Sequence, residues 1–415
     1  MDPNNESCSQ NPLCLQNDAT LLKRMRTGLI DPDTPDSAMS RTSSTGGSQS
    51  LVFSDEFNVD GRSFYAGDDP YWQGVDVWYG ATFDLEWYDP DALSTKGGYL
   101  AIRFDTFRSH GLNFRSGMLQ SWNKLCFKSG YLEASISLPG KGDTSGFWPG
   151  FWTMGNLGRP GYLSTTDGMW PYSYHDGCDA GITANQSDPD GISALPGMRL
   201  PACTCQGSNH PSPGISRSAP EIDALEATVG YLEPPAFDAI GQVSQSFQTA
   251  PFDIFYRPNT EFIEIYDRAV TQANPYQGGV TQEALSALTN LNNDWYNGNA
   301  YQSYGFEYSP GADGYITWYI GEQQTWTLKG QAIGPNGNIG QRVIPEEPMH
   351  VIVNLGMSDG FAPINYTHLP FPSTMRVDYI RIYQDDGGEM TCDPEGYPTT
   401  PYIAEHPRAY QNPNA

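Results

Sequence analysis

Bases are scarce in this sequence. Lys and Arg number 22 against 48 Asp and Glu in 415 residues, which leaves a formal net charge of −26. So acidic a chain repels phosphate backbones, and no nucleic-acid partner is expected. Charged residues of both signs reach only 17%, below the usual figure of about 25%. The acidity therefore reflects missing bases rather than dense carboxylates. No run approaches the roughly 18 apolar residues of a membrane-spanning helix. Residues 1–50 also lack the apolar centre of a signal peptide. No G-x-S-x-G elbow and no H-E-x-x-H pair occurs, which removes the common serine-hydrolase and metalloprotease readings. The run GKGDTSG at 140–146 does not fit a phosphate loop and reads as a turn between strands. No repeat of fixed period is present, and helical periodicity is confined to one modest stretch, 282–291.

Against these absences stand 44 Gly, 33 Pro, 25 Tyr, 18 Phe and 10 Trp. Gly and Pro together exceed their average share of about 12%, as a loop-rich β protein requires, and flat aromatic surfaces suit sugars as well as β cores. Strand signals recur from Leu51 onward. Between Tyr131 and Leu138 the residues Leu132, Ala134, Ile136 and Leu138 share one face, with Glu133, Ser135 and Ser137 on the other. Residues 314–320, 349–355 and 375–383 read the same way. Many short strands between Gly/Pro turns predict an all-β sandwich. One domain is expected over 51–385, after a Ser/Thr/Gly-rich tail at 1–50 and before an extension at 386–415. The long aperiodic stretch 156–219 is expected to loop over the active face.

The most informative segment is Glu221-Ile222-Asp223-Ala224-Leu225-Glu226. Three carboxylates inside an apolar strand are costly unless paired or employed. Glu221 and Asp223 share a face by the period of two. Glu226 is five residues from Glu221 and belongs on the opposite face, unless a one-residue bulge near Ala224-Leu225 turns it back. Bulges re-aim side chains next to active sites. With the bulge, three acids line one cleft, the equipment of a retaining glycosidase: a nucleophile, an acid/base and a carboxyl between them that splits their pKa values. The alternatives are an acidic surface strand or calcium ligation by clustered oxygens. Ile222, Leu225 and Val229 argue against a fully solvated strand. Trp148 and Trp152, four apart, face one way and serve either a core or a sugar.

Glu-Ile-Asp-Ala-Leu-Glu resembles the E-[IL]-D-x-x-E signature of glycoside hydrolase family 16, and Phe147 to Gly155 (FWPGFWTMG) resembles that family's Trp-Pro-x-x-Trp strand. Within the family the chain is most similar to the fungal Kre/Skn-type proteins tied to β-1,6-glucan synthesis. The similarity extends over Arg26 to Pro35, Leu51 to Asn58, Asn185 to Cys205, Ser244 to Asp253 and Met375 to Gln384. The resemblance implies a jelly roll of the concanavalin A-like lectin/glucanase type with long loop insertions. It makes Glu221 the nucleophile, Asp223 its hydrogen-bonding partner and Glu226 the acid/base. It places Trp148, Trp152 and Gln245 against substrate, and Gln302 where many members carry a His. A β-1,6- or β-1,3-glucan is the implied partner of an expected monomer, and hydrolysis and transglycosylation remain equally open. A glucan-binding scaffold without turnover is the rival from another class. The resemblance also implies a secretory-lumen or cell-surface location and an N-terminal membrane helix, which this sequence does not contain.

No cofactor is required by this chemistry. A structural calcium near Asp378 is a weak candidate beside an ordinary outward-facing Asp. His175, Cys178, Cys203, Cys205 and His210 match no zinc spacing, so disulfides are expected in an oxidising lumen. Cys203 and Cys205 are too close to pair easily, which leaves Cys178 and Cys392 as candidate partners. Cys8 then pairs with Cys14, and Cys126 remains the expected free thiol. Sequons occur at Asn5, Asn185 and Asn365. Trp72, Trp78, Trp87 and Trp170 lie in loops from which some should cover the cleft.

Overall fold

The computed structural model describes residues 28–173, 200–249, 258–279, 282–335 and 340–414. Alternation of apolar and polar residues organises these into two antiparallel sheets of ten described strands each. One sheet runs Ser40–Thr42, Ser48–Asp55, Ser373–Gln384, Gly130–Ser137, Gln302–Ser309, Tyr315–Ile320, Gln323–Lys329, Ile263–Ile265. The other runs Thr271–Ala273, Gln282–Asn290, Ala239–Thr249, Glu221–Tyr231, Trp148–Gly155, Met349–Gly356, Met118–Gln120, Gln73–Gly74. Some consecutive strands form hairpins, but several neighbours, such as Ser48–Asp55 with Ser373–Gln384 and Trp148–Gly155 with Met349–Gly356, are widely separated in sequence, as in a jelly-roll sandwich.

The core lies between the sheets. Leu132, Ala134 and Ile136 from the first meet Phe151, Ile222, Val243 and Val353 from the second, all buried in one cluster. A second apolar cluster covers part of the opposite face of the second sheet. There Trp152, Met154 and Ile352 pack against Leu157, Met169 and Leu200 of the long excursion, and against Tyr402, Ile403 and Tyr410 near the C-terminus. The described parts of the excursion thus close over one end of that face, as expected.

Three expectations are corrected. The stretch Gln282–Asn290 is a strand, not a helix. Its apolar residues at 284, 287, 288 and 291 also satisfy helical spacing, but both neighbouring strands hydrogen-bond to it and decide the outcome. The tail ends earlier than residue 50. Ser40–Thr42 pairs with Ser48–Ser50, and Arg41 binds Glu307 at 2.7 Å while lying 3.7 Å over the Tyr131 ring. Cys126 is not free: it is bonded to Cys392, which fastens the C-terminal extension to the sheet edge. Among the described residues Cys205 is the free, exposed thiol, and Cys203 is in a disulfide. Cys203 as a disulfide sulfur is withdrawn from any zinc site. Cys8, Cys14, Cys178 and His175 lie outside the described residues. Asp378 is exposed on its strand.

Candidate active site

The bulge exists where parity requires it. Asp223 pairs with Ser246 and Glu226 with Ser244, so Ala224 and Leu225 together oppose only Gln245. Ala224 and Leu225 are both buried in the core. Glu226 therefore returns to the face that carries Glu221 and Asp223. All three carboxyls line a cavity of about 450 Å³ together with Trp148, Trp152 and Trp170.

Each acid has its own donor. Trp170 Nε1 donates to Glu221 Oε2 at 2.6 Å. Trp148 Nε1 donates to Glu226 Oε1 at 3.1 Å. Asp223 Oδ2 accepts from Ser246 Oγ at 2.6 Å and from Gln248 Nε2 at 3.3 Å. Burial, then the neighbouring carboxylate, pushes Glu221 and Glu226 up to about 8. Asp223 is driven well above the carboxylate range by burial and by Glu221, and it donates to Glu221. Like charges so confined cannot all ionise. Glu221, with donors from Trp170 and Asp223, is the one best able to carry the charge.

Trp148 and Trp152 both reach the cleft. Trp148 stacks on Phe361 with ring centroids 4.2 Å apart, and Trp152 Nε1 donates to Asn354 Oδ1 at 2.8 Å. Gly150 permits this: a Cβ there would come within 2.6 Å of Asn354 Oδ1. Of the four loop tryptophans, Trp170 lines the cavity. Trp72 is buried and donates to Asp55, and Trp87 stacks on His110.

Gln245 and Gln302 are not at the cleft. Gln245 is fully buried on the core side of its strand, where Nε2 donates to Ala224 O and Tyr319 O and Oε1 accepts from Thr325 Oγ1. Parity accounts for the difference: Ser244, Ser246 and Gln248 face the acids, and Gln245 faces the other sheet. Gln302 lies in the first sheet, at the turn beside Gly321. The strand that follows the acidic one in both chain and space is Ala239–Thr249, and Gln248 joins Ser246 there in bonding to the central acid. Period-two spacing from Ser246 would have found it.

The helix Leu163–Thr166 carries Trp170 to Glu221 and packs against the helix Pro407–Gln411. Tyr410 Oη donates to Leu157 O at 2.7 Å, and Arg159 Nη1 donates to Tyr410 O. The buried Arg217–Glu347 pair, at 2.8 Å, fixes the returning end of the excursion.

A jelly-roll sandwich with three aligned carboxyls in a tryptophan-lined cleft defines a protein of the glucanase-type fold class. The chain belongs to the family described as beta-glucan synthesis-associated protein SKN1/KRE6/Sbg1, which it matches over residues 2–415. It is 53% identical over 399 residues to beta-glucan synthesis-associated protein SKN1 of Candida albicans, covering 95% of this chain and 53% of that one. It is also 53% identical to KRE6 of Saccharomyces cerevisiae over 399 residues, 95% of this chain and 55% of that one. The chain thus spans about half the length of these relatives. Among solved structures it is similar to an endo-beta-1,3-glucanase from Pyrococcus furiosus, with TM-score 0.49 and 18% identity over 85% of this chain and 98% of that one. LamAcat from Zobellia galactanivorans gives TM-score 0.46 and 18% identity over 80% and 97%. Among the described residues no helix is long and apolar enough to cross a membrane.

Proposed function

We propose that this protein is a retaining glycosidase or transglycosylase acting on β-1,6- or β-1,3-glucan. The observation that carries the reading is the bulge, which brings Glu226 onto the face of Glu221 and Asp223 inside one cleft. Glu221, held by Trp170 and Asp223, attacks the anomeric carbon. Glu226, protonated while Glu221 carries the charge that the crowded carboxyls cannot share, gives its proton to the departing glycosidic oxygen. A glycosyl ester on Glu221 results. Glu226, now a carboxylate, takes a proton from the incoming hydroxyl, which displaces Glu221 and retains the anomeric configuration. Water as acceptor gives hydrolysis, and a sugar hydroxyl gives transfer.

The relatives' association with β-glucan synthesis supports the substrate class, and with it a role in making or remodelling the fungal wall. The Cys126–Cys392 disulfide suits an oxidising compartment, in keeping with a place in the secretory lumen or at the cell surface. The test is product analysis with purified protein on β-1,3- and β-1,6-gluco-oligosaccharides, beside Glu221→Gln. Products shorter than the substrate mean hydrolysis, longer ones mean transfer, and both vanish in the variant. Equal silence of wild type and variant on every oligosaccharide would overturn the reading.

A further inference from the structure

The cavity has a second wall that the three acids do not use. It is the turn Tyr79–Asp84, and it is pinned on all sides. Trp78 Nε1 donates to Asp84 O at 2.7 Å, Phe83 N to Gly80 O at 3.2 Å, and Ser358 Oγ to Thr82 O at 2.7 Å. The pinning forces Phe83 into the left-handed region at φ 55°, which a bulky side chain seldom adopts. Phe83 is 75% exposed and lines the cavity. An exposed aromatic held in a strained conformation serves no core, and strain of this kind collects at ligand-binding positions.

The next residue brings a carboxyl to the same wall. Asp84 is 4% exposed, and it too lines the cavity. Its Oδ1 accepts from Thr82 Oγ1 at 2.6 Å and its Oδ2 from Tyr88 Oη at 2.9 Å. Tyr88 Oη also accepts from Asn354 Nδ2 at 3.0 Å, and Asn354 accepts from Trp152. An unbroken chain of hydrogen bonds therefore crosses the cleft floor from the tryptophan strand to Asp84. Behind it, burial and Asp84 raise the Glu86 carboxyl well above its usual range, so Glu86 is neutral. Asp84 itself is raised only to about 6 by burial and carries the pair's charge at neutral pH. Tyr79 lines the same cavity. Its hydroxyl feels Glu221, Asp223 and Glu226 as well as Asp84, and burial with that charge keeps it protonated, a donor.

Position sets what this wall can hold. Asn354 is two strands from the acidic strand, roughly 10 Å at the usual strand spacing, and Asp84 lies beyond it through Tyr88. A group bound there is not the ring that Glu221 attacks but a neighbour along the same chain. An anionic ligand is excluded by the surrounding carboxyls. A flat apolar face for Phe83, with hydroxyls for Asp84 and Tyr79, describes a neutral hexopyranose.

We propose that the Tyr79–Asp84 turn is a glucosyl-binding subsite of the cleft, with Phe83 stacking on the ring and Asp84 and Tyr79 bonding its hydroxyls. The proposal rests on the glucan reading of the cleft. It is tested by calorimetric titration of the Glu221→Gln protein with β-1,3- and β-1,6-gluco-oligosaccharides from disaccharide to hexasaccharide, alone and combined with Phe83→Ala or Asp84→Asn. Affinity in the parent should rise with length. Each added substitution should flatten that rise and weaken the longest ligand about tenfold. Phe83→Ala removes an exposed ring and should melt with its parent, which separates lost binding from lost folding. A length dependence unchanged in both variants overturns the subsite and leaves the glucan reading intact. No binding by the Glu221→Gln protein at any length overturns the glucan reading, and the subsite with it.

Discussion

The side-chain amide of Gln245 donates to the carbonyl of Ala224 at 3.0 Å, inside the bulge that turns Glu226 into the cleft. A bulge frees backbone groups from the ladder, and freed groups in a core are costly unless paired. Gln245 pairs Ala224 O, and Trp318 Nε1 pairs Asp223 O at 2.8 Å. Gln245 and Trp318 lie in opposite sheets, so the bulge is clamped from both sides. Gln245→Ala should cost about 1–3 kcal/mol. It should also lower kcat more than tenfold by misplacing Glu226, with KM little changed. Melting and steady-state kinetics on a gluco-oligosaccharide check this. A variant with wild-type kcat would show that the bulge holds itself.

Glu221 and Glu226 destabilise the fold once they must ionise. Glu221 and Glu226 are raised to about 8, whereas an unfolded Glu titrates near 4.3. Between those values the native state binds more protons than the unfolded state, so stability falls as pH rises. The stabilising contribution is complete below about 4.3 and is lost as pH climbs through about 8. Glu221→Gln removes one such carboxyl. It should stabilise the protein on the order of 1 kcal/mol at pH 8 and by almost nothing at pH 4. Melting temperatures across that range test the sign, and a variant less stable than wild type at pH 8 would contradict it.

Cys126 and Cys392 close a loop with a sequence separation of 266 residues. Cys392→Ser should lower stability by about 2–5 kcal/mol, and a reducing agent should lower wild type by more than it lowers the variant, in which only the Cys203 disulfide is left to reduce. Identical melting with and without reductant would remove the bond from the stability account.

Much of this was legible from residue types and spacing. The face shared by Leu132, Ala134 and Ile136 is the core face. The five-residue gap from Glu221 to Glu226 requires a bulge if all three acids are to share one face. What stayed hidden depends on which strands become neighbours. Gln302 belongs to the other sheet, and no local pattern says so. Gln245 has the same chemistry as Gln248, and only the side of the strand separates a clamp from a cleft residue. The segment 282–291 satisfies two periodicities at once, and its partners choose between them. Cys126 shows no local sign of a partner 266 residues away. Phe83 and Asp84 fall in a short turn without periodicity, where sequence carries least information.

Glu221 takes its strongest donor from residue 170, whose supporting helix leans on residues 407–411. The parts that surround Glu221 are thus drawn from residues 170 and 407–411 as well as from its own strand. During synthesis a domain grows from its N-terminal side. The three acids are therefore in place on their strand long before their environment is complete. The cleft cannot acquire its full lining until residues near 410 have emerged and docked, so a partly made chain carries the three carboxyls without the complete set of neighbours that surrounds them.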